Sequence, residues 1–149
     1  MRKVLLIYAS SSGNTEQIAM LLNEHLDPLL FAITQIEIDY DDIDMHCLLQ
    51  YDGILFGTYS YDDGDVPYEV ESFHEDLVDI NLTGKVVGVF GSGDKSYPSF
   101  CGAVDLMKEQ FEKAKATVIE HIVKVDGYPE DNDLPSIEQL AAQFKDSLA

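Results

Sequence analysis

The sequence has 149 residues, of which 46% are hydrophobic and 25% are charged, and its formal net charge is −19. This length and composition predict one globular domain spanning residues 1–149 and argue against a disordered or fibrous chain. The negative charge argues against binding to nucleic acid or to a membrane surface and favours a basic protein partner.

The apolar runs are too short for a membrane span, and the first residues lack the pattern of a signal peptide. The expected location is therefore cytoplasmic. Cys47 and Cys101 have no metal-ligand spacing, and in a cytoplasmic protein both are expected to be free thiols.

The first half of the chain alternates predicted strands with predicted helices. Residues 4–9 form a nearly continuous apolar run, which is typical of a strand covered on both faces. Residues 33–38 alternate apolar with polar side chains and predict an edge strand, and residues 43–49 predict a short helix. A helix between the two strands is predicted by an apolar stripe at helical spacing: Ile18, Leu21, Leu22 and Leu26.

The second half repeats the alternation. Residues 53–58 and 85–91 predict two further central strands, and residues 117–125, interrupted by Glu120 and His121, predict a strand with a partly wet face. Three more apolar stripes predict helices: Val66, Val70, Phe73 and Leu77; Ala103, Val104, Met107, Phe111 and Ala114; and Ile137, Leu140, Ala141, Phe144 and Leu148.

Five strands separated by helices predict a doubly wound α/β fold with a parallel sheet. Right-handed crossovers and two polar edge strands favour the strand order 2-1-3-4-5, which is taken from one of the two common orders of known doubly wound sheets. In such a sheet a ligand crevice opens at the carboxyl ends of the strands, where the winding direction reverses. Three loops are expected to meet there, namely residues 10–15, 59–67 and 92–102.

The first loop, "SSSGNT", has the chemistry of a phosphate site without a cation, since no Lys or Arg lies between Lys3 and Lys85. It leads into a predicted helix, whose first amides have no intrahelical partner and attract anions. Gly13 permits close approach of the backbone to a phosphate, and the neighbouring residues of the loop carry hydroxyl and amide side chains. A plain helix cap is the alternative, because the same residue types cap helices. A Walker loop is excluded, since its Gly-Lys-Ser/Thr element is missing.

The second and third loops contribute tyrosines on two sides of the predicted crevice. Tyr59 and Tyr61 follow the third strand, and Tyr97 follows the fourth. Two facing aromatic rings are suited to hold a flat heterocycle between them. Ordinary surface tyrosines are the alternative interpretation.

Other functions of this fold lack their residues. A response regulator needs acids after the first and third strands, and a phosphatase needs Cys and Arg on the phosphate loop; neither set is present. "GSGDKS" lacks the third glycine of a dinucleotide site. No metal spacing or catalytic triad emerges from the four histidines: His25, His46, His74 and His121.

The segments "SSSGNTE", "GTYSYDDGDVPYE" and "GSGDKSYPSFCGAVD" closely resemble the three flavin-mononucleotide loops of short-chain flavodoxins, and the similarity covers essentially the whole chain. The resemblance implies a small electron carrier with one noncovalent FMN. The cofactor-binding residues that it implies are Ser10, Ser11, Ser12, Gly13, Asn14, Thr15, Thr58, Tyr59, Ser60, Tyr61, Asp62, Asp63, Gly64, Ser92, Gly93, Asp94, Tyr97, Phe100 and Cys101.

Within that set the resemblance also implies roles. Ser60 would lie near the ribityl chain and the phosphate. The residues that would hold the phosphate are Ser10, Ser12, Asn14 and Thr15. Tyr61 would cover the inner face of the isoalloxazine and Tyr97 its outer face, while amides around Asp94 and Cys101 would address the pyrimidine edge.

Two positions depart from the family pattern. Tyr61 stands where Trp is often found, and Asp62 stands where Gly is usual. The resemblance implies that the peptide after position 62 turns over when the flavin gains one electron. That conformation needs a positive φ, which Gly adopts freely and Asp does not, so Asp62 is expected to affect the redox potential.

The implied partners are basic redox proteins, an NADPH-dependent reductase as donor and oxidoreductases as acceptors, and the expected state is a monomer. Steering of such partners is expected from Asp62, Asp63, Asp65 and Asp94. We expect a carrier rather than an enzyme, because 149 residues leave no room for an NADPH-binding domain. The alternatives are an FMN enzyme of the same fold, such as a quinone reductase or a ribonucleotide-reductase assembly flavoprotein, and a flavin-free interaction domain.

Overall fold

Residues 1–39 and 43–149 are described by the structure, a computed structural model, and they form a parallel β-sheet between two layers of helices. All strand pairs run parallel. The strands are β1 (Arg2–Tyr8), β2 (Phe31–Glu37), β3 (Gly53–Tyr59), β4 (Val86–Gly93), β5 (Thr117–Val118) and β6 (Val123–Asp126).

The sheet order is β2-β1-β3-β4-β5, which confirms the predicted order 2-1-3-4-5. The predicted fifth strand over residues 117–125 was wrong as one element, because β5 and β6 pair separately with the start and the end of β4. Glu120, in the segment between them, is exposed. His121 turns to Ser136 instead, with its Nε2 3.0 Å from the backbone oxygen and from Oγ.

Successive residues of the central strands face opposite helical layers, as the two-residue period of a strand requires. In β1, Leu5 and Ile7 pack in one core, whereas Val4 and Leu6 pack in the other. The helices are α1 (Asn14–Glu24), α2 (Tyr68–Asp76), α3 (Gly102–Lys113) and α4 (Leu134–Leu148).

The first core contains buried residues of α2 and α3, and the second contains those of α1 and α4. In the first core the ring of Phe56 stacks on Phe73, with centroids 5.0 Å apart, and meets Phe111 edge-on at 5.6 Å. The apolar stripes therefore predicted which helix faces are buried.

Helix boundaries differ from the apolar stripes by a few residues. Val66 lies before α2, whose first residue follows Pro67, and Leu77 lies in a 3₁₀ turn after it. The short helix predicted over residues 43–49 is a 3₁₀ helix, Met45–Gln50, and the carboxylate of Asp44 caps it by accepting a 3.0 Å bond from the amide of His46. No helix within the described ranges combines the length and the apolar character that crossing a membrane requires.

Candidate functional site

The three loops that follow β1, β3 and β4 meet in one cleft of about 170 Å³. It lies at the carboxyl ends of the central strands, where β1 has neighbours on both sides and the chain changes its winding direction. The cleft is lined by Ser11, Ser12, Asn14, Tyr59, Ser60, Tyr61, Asp62, Ser92, Gly93, Asp94, Tyr97, Ser99, Phe100 and Cys101.

The first loop is shaped by Ser10 and Gly13. The hydroxyl oxygen of Ser10 accepts hydrogen bonds from the amide of Gly13 at 3.1 Å and from the amide of Glu16 at 3.3 Å. Gly13 precedes α1 with φ = 91°, in the left-handed region that glycine adopts at little cost. The Ser10 side chain therefore stabilises the conformation of the turn.

Four backbone amides around this turn remain available to a ligand. In the part of the chain that the structure describes, the N–H groups of Ser11, Ser12, Asn14 and Thr15 have no hydrogen-bond acceptor. The last two begin α1, so the positive end of the helix dipole lies at the same place. This arrangement is suited to bind an anion.

A buried pair of hydroxyls connects this loop to β4. Oγ1 of Thr15 lies 2.8 Å from Oγ of Ser92, a residue 77 positions away in the sequence. Thr15 is 1% exposed and Ser92 3% exposed, so neither hydroxyl has water as a substitute partner. The bond fixes the first turn of α1 against the end of β4.

Tyr61 is held in place by two other tyrosines. Its ring meets Tyr59 edge-on at 6.2 Å and Tyr68 edge-on at 5.2 Å. Its hydroxyl oxygen also accepts a 3.0 Å hydrogen bond from the amide of Tyr68. Tyr59 is itself anchored, because its hydroxyl lies 2.8 and 2.9 Å from the two carboxylate oxygens of Glu69.

Asp62 occupies the first central position of a tight turn, which the amide of Gly64 closes on the carbonyl of Tyr61 at 2.8 Å. Among the described non-glycine residues, positive φ angles occur at Cys101 and Lys115 and not at Asp62. Two carboxylates stabilise the same loop, since Asp63 accepts from the amide of Asp65 at 3.0 Å and Asp65 accepts from the amide of its neighbour Val66 at 2.9 Å.

In the third loop, Tyr97 is 38% exposed and contacts Asp62 of the second loop. A hydrogen bond to the Asp62 carboxylate, followed by the negative charge of that group, raises the pKa of the Tyr97 phenol. Asp94 accepts from the hydroxyl of Ser96 at 2.7 Å and from its amide at 2.9 Å, and these bonds lower the pKa of Asp94.

Cys101 is a buried free thiol that precedes α3 with φ = 52°, and burial raises its pKa to about 12. The thiol is therefore neutral near pH 7. Within residues 1–39 and 43–149, the amides of Asp94 and Cys101 also have no hydrogen-bond acceptor. They supply two further donors on the third-loop side of the cleft.

The second and third loops are in close backbone contact. A Cβ atom on Gly102 would lie 2.7 Å from the carbonyl oxygen of Gly64, and one on Gly64 would lie 2.5 Å from Cβ of Ser99. The hydroxyl of Ser60 accepts a 3.0 Å bond from the amide of Ala103 at the start of α3. The cleft wall on this side is thus one packed unit.

The comparisons with known proteins agree with this geometry. A sequence model of the flavodoxin family matches residues 6–139. The probable flavodoxin 1 of Bacillus subtilis (strain 168) is 43% identical over 145 residues, which are 97% of this chain and 90% of that protein. The chain belongs to the flavodoxin family.

Solved flavodoxin structures match over nearly the full length. A short-chain flavodoxin associated with a non-canonical PDU bacterial microcompartment is 33% identical, with a TM-score of 0.92 and complete coverage of both chains. Flavodoxin 2 from Bacillus cereus is 41% identical, with a TM-score of 0.90 and coverage of 97% of this chain and 98% of that one. These matches confirm the resemblance drawn from the loops.

As a flavodoxin, the chain is a small electron-transfer protein whose cofactor is FMN. The chemistry of the residues that line the cleft suits that group. The first loop offers unpaired amides to a phosphate, Tyr61 and Tyr97 offer rings to a flat heterocycle, and none of the described residues that line the cleft is Lys or Arg. The described residues contain no group of three or more His, Cys, Asp or Glu side chains positioned to hold a metal ion.

The structure brings most of the predicted cofactor residues to the cleft. The predicted residues that do not line it are Ser10, Gly13, Thr15, Thr58, Asp63 and Gly64. Thr58 is buried, with its hydroxyl donating to the carbonyl of Tyr59 at 2.8 Å, while Asp63 and Gly64 line a neighbouring groove.

Ser99 lines the cleft although the sequence did not single it out. Its place depends on the contact between its loop and Gly64, which is a contact between distant residues. The only sequence signal was its membership in the third loop.

Proposed function

We propose that the FMN phosphate binds in the first loop to the four unpaired amides of residues 11, 12, 14 and 15. This observation carries the assignment, because such donors around a helix start have no other described acceptor. Ser11, Ser12 and Asn14 also line the cleft and add side-chain donors. The side chains of Ser10 and Thr15 support this loop. The Ser10 hydroxyl accepts from a loop amide, and the Thr15 hydroxyl bonds to Ser92.

The flavin ring lies between Tyr61 and Tyr97 in this proposal. Tyr61 is suited to the inner face, because its neighbours Tyr59 and Tyr68 fix its orientation. The unpaired amides of Asp94 and Cys101 suit the acceptors of the pyrimidine edge. The cleft volume, about 170 Å³, is below the roughly 300–1,000 Å³ of common ligand pockets, so we expect Tyr97 to move away from Asp62 on binding.

The neutral phosphate loop suits a carrier that delivers electrons at low potential. A cation beside the phosphate would stabilise the negative charge of the reduced flavin, and neutral donors avoid this. Two unit charges about 12 Å apart at an effective dielectric of about 40 interact by about 0.7 kcal/mol, or about 30 mV for one electron. Exposed carboxylates near the ring, at Asp62 and Asp94, act in the same direction, although salt weakens them.

The partners we propose are basic redox proteins, with an NADPH-dependent reductase as donor and oxidoreductases as acceptors. The net charge of −19 supports this, because it steers basic proteins toward the chain. We further propose that the chain works as a monomeric, cytoplasmic, single-domain carrier without enzyme activity of its own. Rapid NADPH oxidation by the purified protein alone would instead favour a flavin enzyme.

The test begins with the absorbance spectrum of the purified protein, with FMN added, followed by thermal unfolding. Because FMN binds the folded state, a hundredfold excess over the Kd is expected to raise the free energy of unfolding by about 2.7 kcal/mol. The loaded protein is then mixed with NADPH, a flavodoxin reductase and an electron acceptor. Acceptor reduction that requires all components supports a carrier. A colourless protein whose melting temperature does not change when FMN is added contradicts the proposal.

A further inference from the structure

Beside the flavin cleft lies a second, larger depression of about 690 Å³, which we call the acidic groove. It is bounded by the second loop, by α3 and by β6. It shares Ser99 and Phe100 with the cleft, so a molecule seated in it is adjacent to the flavin site. The residues used below are Asp63, Asp65, Phe100, Asp105, Leu106 and Lys124.

The groove combines an acidic rim with an apolar floor. Asp63, Asp65 and Asp105 are exposed, while Phe100 and Leu106 are half-buried and pack against the first core. A surface of this kind is complementary to a basic side chain that carries apolar carbon atoms, since the charge meets the rim and the carbons cover the floor.

The groove already holds one such side chain. Nζ of Lys124 lies 2.6 Å from Oδ2 of Asp105, and the Lys124 side chain is 28% exposed whereas that of Asp105 is 54% exposed. Lys124 comes from β6 and Asp105 from α3, so the ion pair spans the groove wall between two elements. By contrast, the Lys113–Glu109 pair farther along α3 is 3.8 Å long, with both side chains about 60% exposed.

We propose that the acidic groove docks the redox partner by receiving one of its arginine or lysine side chains, and that this cation displaces Lys124 from Asp105. The inference rests on the proposed function, since it names where a basic partner binds. Lys124 thereby weakens partner binding, because the incoming cation competes with a pair formed inside the chain. Docking here brings the partner against Phe100, at the edge of the flavin cleft.

The first experiment compares two lysine variants of the FMN-loaded protein, with cytochrome c, a small basic haem protein, as the probe. Lys124→Gln frees Asp105, and Lys113→Gln frees Glu109 with the same change in net charge. We expect Lys124→Gln to tighten the Kd about two- to fivefold, measured by calorimetry at low ionic strength, and Lys113→Gln to change it less. Equal tightening in the two variants would show a general charge effect and overturn the proposal.

A double-mutant cycle tests the displacement itself. If Lys124 acts through Asp105, then Lys124→Gln no longer tightens binding in an Asp105→Asn background. Full tightening in that background overturns the competition. Leu106→Ser is expected to weaken binding several-fold through the apolar floor, and an unchanged Kd for this variant overturns the groove as the docking site. Urea unfolding and FMN absorbance establish that each variant is folded and loaded.

Carbodiimide cross-linking of the Lys124→Gln variant to cytochrome c gives a positional readout. Cross-links at Asp63, Asp65 or Asp105 support the groove, and cross-links confined to other acids overturn it. Measurements on the wild-type protein distinguish failure of the proposed function from failure of the groove assignment. If it binds no FMN or passes no electron to cytochrome c, the proposed function fails; if it does both while the groove variants behave alike, only the groove assignment fails.

Discussion

The two ends of the flavin cleft are built from different chemistry. The phosphate loop has no charged residue between Ser10 and Thr15, and its donors are amides shaped by buried or half-buried hydroxyls. The opposite end, where we propose that the flavin ring binds and which we call the ring end, has Asp62 and Asp94 on exposed turns, together with half-exposed tyrosines. One end is neutral and its hydroxyls bond within the protein, and the other end is acidic and exposed to solvent.

Because of this difference, cofactor affinity and redox potential can be changed independently, whereas a charged phosphate site would affect both. Affinity for the cofactor is expected to come mainly from the phosphate end, where changes leave the charge near the ring unaltered. Redox potential and partner choice are expected to come from the ring end, because in our proposal the carboxylates of Asp62 and Asp94 lie close to the flavin ring there. Substitutions at the two ends therefore have different readouts, and the predictions below test that separation.

The largest effect is expected from removing the phosphate itself. Riboflavin has no group for the amides of residues 11, 12, 14 and 15, and hydrogen bonds to a charged group contribute about 1.5–3 kcal/mol each. We expect FMN to bind at least about a hundredfold more tightly than riboflavin, measured by quenching of flavin fluorescence. Tyr61→Ala is the control, since loss of its ring is expected to weaken both flavins alike. Equal affinities of the wild type for the two flavins would refute the phosphate assignment.

The next effect is expected from Thr15→Ala, which leaves the hydroxyl of Ser92 buried without its partner. An unsatisfied buried hydroxyl costs about 1–3 kcal/mol, so the free energy of unfolding is expected to fall by that amount. FMN affinity is expected to fall about tenfold, and riboflavin affinity less, because the substitution disturbs the phosphate end. Thr15→Ser keeps the hydroxyl and is expected to restore both quantities. Urea unfolding of the apo-protein and flavin titrations measure them.

Much of this arrangement was predictable from local patterns. Continuous apolar runs predicted β1, β3 and β4. Crossover handedness and polar edges only favoured the order of the strands, which was taken from a known class of doubly wound sheets. Because the carboxyl ends of parallel strands lie at one edge, the meeting of the three loops followed as well. The periodicity of apolar side chains is a local property, so it can be read directly from neighbouring residues in the sequence.

The rest depended on contacts between distant residues. The bond between Thr15 and Ser92 gives the threonine hydroxyl a partner within the protein, and no local pattern shows this. The division of the predicted fifth strand into β5 and β6 is a second example. It depends on how β5 pairs with the start of β4 and β6 with its end, and the local sequence does not show this. Likewise, the left-handed backbone at Cys101 is imposed by the packing of the third loop, since Cys has no preference for it.

A smaller effect is expected from Asp62→Gly at the ring end. Asp62 has no positive φ in this structure, and a turned-over peptide needs one at this position. Holding a non-glycine residue there costs about 1 kcal/mol, which is about 40 mV for one electron. We expect the variant to raise the potential of the first electron by about that amount, measured by anaerobic reductive titration. Asp62→Asn removes the charge but keeps the side chain, so it separates the backbone from the electrostatic contribution.

An unchanged first potential in Asp62→Gly would show that the loop does not turn over here or that Asp62 adopts the conformation without strain. FMN affinity is a second readout of the same variant. It is expected to change far less than in Thr15→Ala, because the phosphate contacts are intact. A large loss of FMN affinity would contradict the separation of the two ends.

The smallest effect is expected from Asp63 and Asp65, whose exposed carboxylates stabilise their own loop and, in our proposal, also attract basic partners. Reversal to Lys would remove the bonds to the amides of Asp65 and Val66 along with the charge. Asn keeps an oxygen acceptor, so the double variant Asp63→Asn/Asp65→Asn isolates the charge. We expect electron transfer from a basic reductase at low salt to slow about two- to threefold, the size of an exposed charge interaction.

The salt dependence decides whether that slowing is electrostatic. Screening shortens the reach of exposed charges to about 8–10 Å at physiological ionic strength. The rates of the wild type and of the double variant are therefore expected to converge as salt is raised, in stopped-flow measurements. Asp146→Asn, on α4 at the other face of the sheet, removes a carboxylate away from both loops and is expected to leave the rate almost unchanged. A difference that persists at high salt would mean that the loop's shape, and not its charge, guides the partner.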